Sequence, residues 1–235
     1  MSDPPASPSP LGGAPPAPGV AGATQGPPPI GRESLNAPNA VTFARLILAA
    51  GLFGLIAWGG LWLTCAGLFV VVAATDFLDG YLARRYGQVT TLGRIVDPFA
   101  DKFVVVGTLL FLQGRESISP SGDAVGSGVM PWMTLVIVGR EMFVSSLRGF
   151  LETHGVDFSA DWTGKVKTVL QFTAVTGSLL SLSPLLHTLP PEIAGRGWFL
   201  WARDAVLWAA TLFTAYSGAA YVARGAAALR GSGET

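Results

Sequence analysis

The chain has 235 residues, of which 50% are hydrophobic and 13% charged, and its formal net charge at pH 7 is zero. With a mean hydropathy of +0.47, it is too apolar for an ordinary soluble domain, and this composition indicates an integral membrane protein. The balanced charge and the lack of a long basic run argue against nucleic acid as a partner. The one cysteine, Cys65, excludes a disulfide within a single chain.

Residues 1–33 are dominated by Pro, Gly, Ala and Ser. Such a segment cannot bury enough apolar surface to order a fold, so we predict a disordered tail. It lacks the basic start and the continuous apolar run of a signal peptide, so we expect the first hydrophobic segment to stay in the mature protein. The tetrapeptide Asn36-Ala37-Pro38-Asn39 precedes that segment and is typical of a helix start.

Six apolar runs follow, each close to the length that a transmembrane helix needs. They cover residues 41–57, 61–82, 96–112, 129–150, 166–186 and 199–222. We therefore predict an all-α integral membrane domain over residues 34–223, with six transmembrane helices, and a short polar tail at 224–235. The second and third runs contain aspartates, so their plain hydropathy is lower than that of the others.

The distribution of Lys and Arg predicts the orientation in the membrane. Twelve of the fifteen fall on or toward the side of the N-terminus, and three fall on the other side: Arg115, Arg196 and Arg203. By the positive-inside rule, both termini and the loop between the second and third spans are cytoplasmic. We expect a multi-pass protein of the inner (cytoplasmic) membrane, with flexible external loops at 114–128 and 184–197.

Four aspartates lie where the second span ends and the third begins: Asp76, Asp79, Asp97 and Asp101. In helices, the first two share a face with Ala83, and the last two share a face with Gly93. A short turn would let the two faces meet. Four carboxylates in a poorly solvated place repel one another unless a cation neutralises them, and hard divalent ions prefer oxygen ligands. The pattern predicts a metal site in a polar cavity that opens to the cytoplasm.

The complete string is Asp-x-x-Asp-Gly-x-x-Ala-Arg, eight residues, then Gly-x-x-x-Asp-x-x-x-Asp. At every fixed position it resembles the signature of the CDP-alcohol phosphotransferase family of membrane enzymes. The resemblance implies that the four aspartates hold two metal ions, Mg²⁺ or Mn²⁺, and that Asp101 is also the general base on the attacking hydroxyl. It further implies nucleotide contacts at Gly80, Ala83, Arg84, Gly93, Asn39 and Thr42. Close helix packing is an alternative role for the small residues, and helix capping for Asn39 and Thr42.

A second group of residues is basic and falls on the same predicted side of the membrane: Arg140, Arg148, Lys165 and Lys167. Arg140 and Arg148 are about two helical turns apart and can share a face. The group suits an anionic acceptor. The alternatives are interfacial snorkelling for Arg148 and the two lysines, and an ion pair with Glu141 for Arg140.

The strings Gly139-Arg140-Glu141, Ser146-Leu147-Arg148 and 164–168 further resemble the phosphatidylglycerophosphate synthase branch of this family. This implies transfer from CDP-diacylglycerol to glycerol 3-phosphate with release of CMP, and the family resemblance implies a homodimer. Other acceptors stay open: inositol phosphate, another alcohol, or phosphatidylglycerol as in cardiolipin synthesis. A divalent-cation transporter that uses the aspartates as its ion path and a non-catalytic scaffold are the alternatives of other classes.

Overall fold

A computed structural model describes residues 37–86, 91–153, 162–187, 192–193 and 196–231. Within these ranges, side-chain surroundings are described except at 37–39, 76–95, 97–98, 152–153, 185, 187, 192–193, 196 and 227–231. The described elements are α1 (Ala37–Trp58), α2 (Trp62–Tyr86), α3 (Thr91–Leu112), β1 (Glu116–Ile118), β2 (Ala124–Gly126), α4 (Pro131–Thr153), α5 (Trp162–Ser181), α6 (Pro184–His187), β3 (Glu192–Ile193), β4 (Arg196–Gly197) and α7 (Trp198–Gly231).

The fold is helical, as the sequence predicts, and a long helix covers most of each of the six apolar runs. In the described part of the chain, two stretches are long and apolar enough to cross a membrane, Ala40–Trp58 and Trp198–Ala226. A third apolar stretch, Trp62–Thr75, is shorter. Charged residues interrupt the others, as in α4, where Arg140 and Glu141 stand side by side. Apolar helices with charges at intervals indicate a membrane protein that keeps polar groups inside its bundle.

The first helix has a clear start and stop in the sequence. Pro38 occupies its first turn, where the missing N–H costs no hydrogen bond. After Trp58, Gly59 and Gly60 adopt φ angles of 83° and 89°, a left-handed conformation that glycine tolerates best. The Gly59 N–H donates to the Leu55 carbonyl at 3.0 Å and closes the last turn. The chain then reverses directly into α2.

Three connecting or terminal segments differ from the sequence predictions. Residues 114–128 contain the antiparallel hairpin β1–β2 rather than only a flexible loop, because Gly122 at a φ of 92° closes its turn. Within 184–197, α6 and the hairpin β3–β4 form. Helix α7 continues into the predicted polar tail as far as Gly231, since the alanines and leucine there are strong helix formers.

A close contact between α1 and α3 fixes how these two helices align. The Phe53 ring on α1 stacks on Phe111 with centroids 5.1 Å apart and meets Phe103 edge-on at 5.4 Å. Gly107 lies between these two positions on α3, and a Cβ there would come within 2.2 Å of the Phe53 ring. The lack of a side chain at Gly107 therefore leaves the space that the Phe53 ring occupies. This packing places Arg45 of α1 beside the first half of α3.

The helices α5 and α7 meet along a partly polar seam. Gln171 donates a buried hydrogen bond to Thr214 at 3.2 Å, and Ser178, Ser181 and Ser217 are also buried. Small and hydroxyl side chains allow close approach of helices in a membrane, where they also satisfy one another. These polar contacts follow α5 from Gln171 to Ser181.

Candidate functional site

The backbone places the aspartate signature at one end of two neighbouring helices. Asp76 and Asp79 lie in α2, and Asp97 and Asp101 lie in α3. Their spacings, three residues in α2 and four in α3, give each helix one carboxylate-bearing face. Of the four aspartates, only Asp101 has described side-chain surroundings. The surroundings of Asp76, Asp79 and Asp97 are outside the described part, and so are those of the predicted nucleotide contacts Gly80, Ala83, Arg84, Gly93 and Asn39.

Asp101 makes an ion pair with a residue that the sequence analysis did not assign to the site. Arg45 Nη1 of α1 donates to Asp101 Oδ1 at 2.5 Å. The Arg45 side chain is 1% exposed and that of Asp101 is 44% exposed. The arginine thus lies inside the bundle, whereas almost half of the carboxylate side chain is exposed.

Thr42 precedes Arg45 by one turn on the same face of α1 and is also buried. The structure thus places this predicted nucleotide-contact residue beside the arginine that holds Asp101. A sequence signal for Arg45 exists, since a lone arginine early in an apolar helix is costly without a partner. Its partner could not be named from spacing, because the two residues are 56 positions apart.

Two of the four predicted acceptor-binding residues come together around Glu141. Glu141 Oε1 on α4 accepts from Lys167 Nζ on α5 and lies 3.4 Å from Arg140 Nη1. All three side chains are about nine-tenths buried. The ion pair between Arg140 and Glu141, left as an alternative by the sequence, is present, and the same carboxylate also holds a lysine from the next helix.

The side chain of Arg140 on α4 packs against α7 at Gly218. A Cβ at Gly218 would lie 2.9 Å from Arg140 Cγ. The glycine therefore provides the groove along which the arginine side chain runs. Without it the methylenes of Arg140 would have to move away from α7.

A third cation joins this group from α3. Lys102 Nζ donates to Ser145 Oγ, and Ser145, one turn after Glu141, in turn donates to the Glu141 carbonyl at 2.7 Å. Lys102 and Arg140 are both close enough to repel the charge of Lys167. In the sequence, Lys102 is one of the twelve cations that predict the orientation, and its place directly after Asp101 is a signal for a role in the site. We call Lys102, Arg140, Glu141, Ser145 and Lys167 the basic cluster.

The other two predicted acceptor-binding residues lie apart from that group. Arg148 Nε donates to Tyr221 Oη on α7 at 3.4 Å, and its guanidinium lies 6.0 Å from the centre of the Tyr221 ring. Lys165 is exposed near the start of α5. Both remain on the side of the bundle that holds Asp101, but the structure does not bring them to Glu141.

The opposite end of the bundle contains a second buried arginine. Arg203 of α7, 4% exposed, donates to Asp204 Oδ1 at 2.9 Å, to the Gly126 carbonyl at 2.6 Å and to Ser181 Oγ at 2.9 Å. These bonds join β2, the end of α5 and the start of α7. A cavity of about 270 Å³ adjoins them, and another of about 320 Å³ lies at the end of α3.

The donor chemistry fits a divalent metal at the aspartate end. Carboxylate oxygens are the ligands that Mg²⁺ and Mn²⁺ prefer, and two helices carry them in pairs one turn apart. Among residues with described side chains, no three of His, Cys, Asp and Glu gather as a metal site. That finding does not test the four-aspartate prediction, since three of the four lie outside it.

Comparison with known proteins agrees with the signature. The family model of the CDP-alcohol phosphatidyltransferases matches residues 35–216. A CDP-diacylglycerol–glycerol-3-phosphate 3-phosphatidyltransferase of Bacillus subtilis is 35% identical over 212 residues, which cover 84% of this chain and 98% of the relative. A protein of the same name from Cereibacter sphaeroides is 36% identical and covers 71% and 72%. A "Probable phosphatidylglycerophosphate synthase" of Mycobacterium tuberculosis is 33% identical and covers 80% and 81%.

Proposed function

Because the chain belongs to the CDP-alcohol phosphatidyltransferase family, we propose that it transfers the phosphatidyl group of CDP-diacylglycerol to glycerol 3-phosphate. The products are phosphatidylglycerol phosphate and CMP. Two relatives that are 35% and 36% identical carry the name of this reaction. The observation that carries the acceptor assignment is the basic cluster, which suits a phosphate-bearing alcohol and whose Lys102 follows Asp101 directly on α3.

In the proposed reaction, Asp101 takes the proton from the primary hydroxyl of the acceptor while that oxygen attacks the lipid-side phosphorus. A new P–O bond forms, the P–O bond to CMP breaks, and CMP leaves with the bonding electrons. Arg45 holds Asp101 through the 2.5 Å contact, so the carboxylate is oriented before the acceptor arrives. A correctly placed general base contributes about 10²- to 10⁴-fold to a rate.

We propose that Asp76, Asp79, Asp97 and Asp101 hold two divalent cations, Mg²⁺ or Mn²⁺. When bound, these ions neutralise charge on the pyrophosphate and on the departing CMP. Gly80, Ala83 and Gly93 leave room for the cytidine beside the helix backbones, and Arg84 offers a planar fork to phosphate oxygens. Asn39 and Thr42 complete the nucleotide contacts from α1.

In the same proposal, six helices span the inner membrane, the active site opens to the cytoplasm and the protein is a homodimer. The orientation rests on the uneven distribution of Lys and Arg, and the dimer on the family resemblance alone. The alternative of a cation transporter is disfavoured because an ion path through the aspartates gives no role to the small residues and the arginine of the signature, Gly80, Ala83, Arg84 and Gly93.

The test is CMP release by the full chain in detergent with CDP-diacylglycerol and Mg²⁺. Glycerol 3-phosphate, inositol phosphate, inositol, serine and phosphatidylglycerol are offered separately. We expect release chiefly with glycerol 3-phosphate and none with Asp97→Asn. Release driven by another acceptor would overturn the acceptor assignment but keep the chemistry. Absence of release with all five would overturn the proposed function.

A further inference from the structure

We propose that Lys102 is a further substrate-binding residue, which with Arg140 and Lys167 holds the phosphate of the acceptor, and that Ser145 is its positioning residue. This inference rests on the proposed function and deepens it. It assigns a role to a side chain outside the aspartate signature and outside the four basic residues that the sequence singled out.

The first argument is geometric. Successive residues of a helix point about 100° apart, so Asp101 and Lys102 face different neighbours of α3. Asp101 meets Arg45 on α1, and Lys102 meets Ser145 on α4. The carboxylate proposed as the base and a cation of the basic cluster therefore stand on adjacent residues of one rigid helix.

The second argument concerns how Lys102 is held. Ser145 Oγ accepts from Lys102 and donates to the Glu141 carbonyl, so the lysine is fixed to the turn of α4 that also holds Lys167. Glu141 and Ser145 are four residues apart and share one face of α4. Their partners come from α3 and α5. Lysines from two helices thus converge on one turn of a third.

The third argument is the charge of the group. Lys102, Arg140 and Lys167 carry three positive charges, and Glu141 supplies one negative charge. Arg140 and Lys102 both repel Lys167, although Glu141 attracts it more strongly than either of them repels it. The surplus of two charges matches a phosphate monoester, which carries about −1.5 to −2 near neutral pH. A neutral alcohol would leave the repulsion in place.

The consequence is that one helix sets the distance between the phosphate-binding group and the general base. An acceptor with a phosphate at one end is held by Lys102 while its free hydroxyl meets Asp101. The same site would discriminate between glycerol 3-phosphate and glycerol by charge. Selectivity would then appear in the KM of the acceptor and not in the KM of the nucleotide lipid.

The experiment compares the full-length wild type with Lys102→Met, Lys102→Arg and Ser145→Ala in detergent, and measures CMP release while each substrate is varied. For Lys102→Met we expect the KM for glycerol 3-phosphate to rise at least tenfold, with the KM for CDP-diacylglycerol and the Mg²⁺ requirement within twofold of wild type. Lys102→Arg keeps the charge, so we expect a rise below threefold. Ser145→Ala is expected to raise that KM two- to fivefold.

The matched control is Arg115→Met, which removes a cation at the far end of α3, where Arg115 Nε donates to the Phe111 carbonyl. It should leave both KM values unchanged. A fall in kcat alone for Lys102→Met, or equal rises in both KM values, would overturn the inference. If Lys102→Met does not fold, the Ser145→Ala and Lys102→Arg results decide by the same criteria.

A second readout separates this inference from the proposed function. The thermal unfolding midpoint is measured with inorganic phosphate and with glycerol 3-phosphate, without CDP-diacylglycerol. We expect both to raise the midpoint of wild type and neither to raise that of Lys102→Met. If wild type binds phosphate in this way but releases no CMP, the proposed function fails and the phosphate site stands. Equal shifts in both proteins, or no shift in wild type, overturn the site.

Discussion

The two buried arginines at opposite ends of the bundle have different surroundings. Arg45 meets Asp101, a carboxylate that is 44% exposed and comes from another helix. Arg203 bonds to its own neighbour Asp204 and also to a hairpin carbonyl and a serine. The first arginine holds the carboxylate that we propose as the general base. The second joins three elements through bonds that lie within the protein.

The difference teaches how the same residue type serves function or stability. An arginine whose N–H groups donate to several protein oxygens stabilises the fold, so its loss lowers the free energy of unfolding. We expect an arginine that orients Asp101, the proposed base, to affect the rate of the reaction instead. Burial alone does not separate the two arginines, since both side chains are less than 5% exposed, and their carboxylate partners Asp101 and Asp204 are 44% and 31% exposed. The added bonds of Arg203 to Gly126 and Ser181 are what mark it as a residue that joins elements.

The largest expected effect is on the reaction itself. Asp101→Asn removes the proposed base, so we expect kcat for CMP release to fall by about 10²- to 10⁴-fold. The matched control at the other end is Asp204→Asn, which should leave kcat within twofold. If Asp101→Asn keeps the wild-type rate, the base assignment is wrong.

Arg45→Lys should have the next largest effect on the rate. The ammonium keeps a positive charge near Asp101, but it is shorter and lacks the planar fork that fixes the carboxylate. We expect kcat to fall about 10- to 50-fold, equivalent to about 1.4 to 2.3 kcal/mol, with both KM values within threefold. A steady-state assay of CMP release measures this kcat. Unchanged kcat would mean that the pair does not orient the base.

Arg203→Gln should change stability and leave the rate alone. It leaves the Gly126 carbonyl and Ser181 without their donor, which costs about 1 to 3 kcal/mol. We expect the unfolding midpoint to fall by about 2 to 12 °C, while kcat and both KM values stay within twofold at 25 °C. A variant with normal stability but impaired turnover would remove the distinction between the two arginines.

Gly218→Ala is expected to have the smallest effect. The new Cβ would lie 2.9 Å from Arg140 Cγ, so the arginine side chain must shift and the KM for glycerol 3-phosphate should rise two- to fivefold. Gly225→Ala is the control in the same helix, because its Cβ would be 3.4 Å from Leu147 and in near-ordinary contact. Both changes favour the helix by up to about 1 kcal/mol, but only in Gly218→Ala is that gain offset by the displacement of Arg140. Equal KM values in the two variants would contradict the role of Gly218.

The sequence predicted the family and the helical fold well, because both depend on local patterns. The spacing of Asp76, Asp79, Asp97 and Asp101 carries the family resemblance, which the comparisons confirm. Apolar runs of suitable length located the six long helices. The metal, nucleotide and base assignments stay predictions, since three of the four aspartates lie outside the described side chains.

The parts that the sequence did not predict depend on contacts between distant positions. The pairing of Arg45 with Asp101 and the meeting of Lys102 with Ser145 join residues 56 and 43 positions apart. The periodicity of a sequence carries no information on contacts between residues so far apart along the chain. The hairpin β1–β2 was missed for a different reason: its strands have three residues each, too few for alternation to stand out.

The Arg45–Asp101 pair also constrains the order in which the protein is assembled. Arg45 lies on α1, whereas its partner is made 56 residues later. When α1 first enters the bilayer, its guanidinium lacks this carboxylate and remains at the membrane surface or draws water inward, at a cost in free energy. Arrival of α3 removes that cost. The step that gives Arg45 its carboxylate is thus also the step that fixes Asp101, the proposed base.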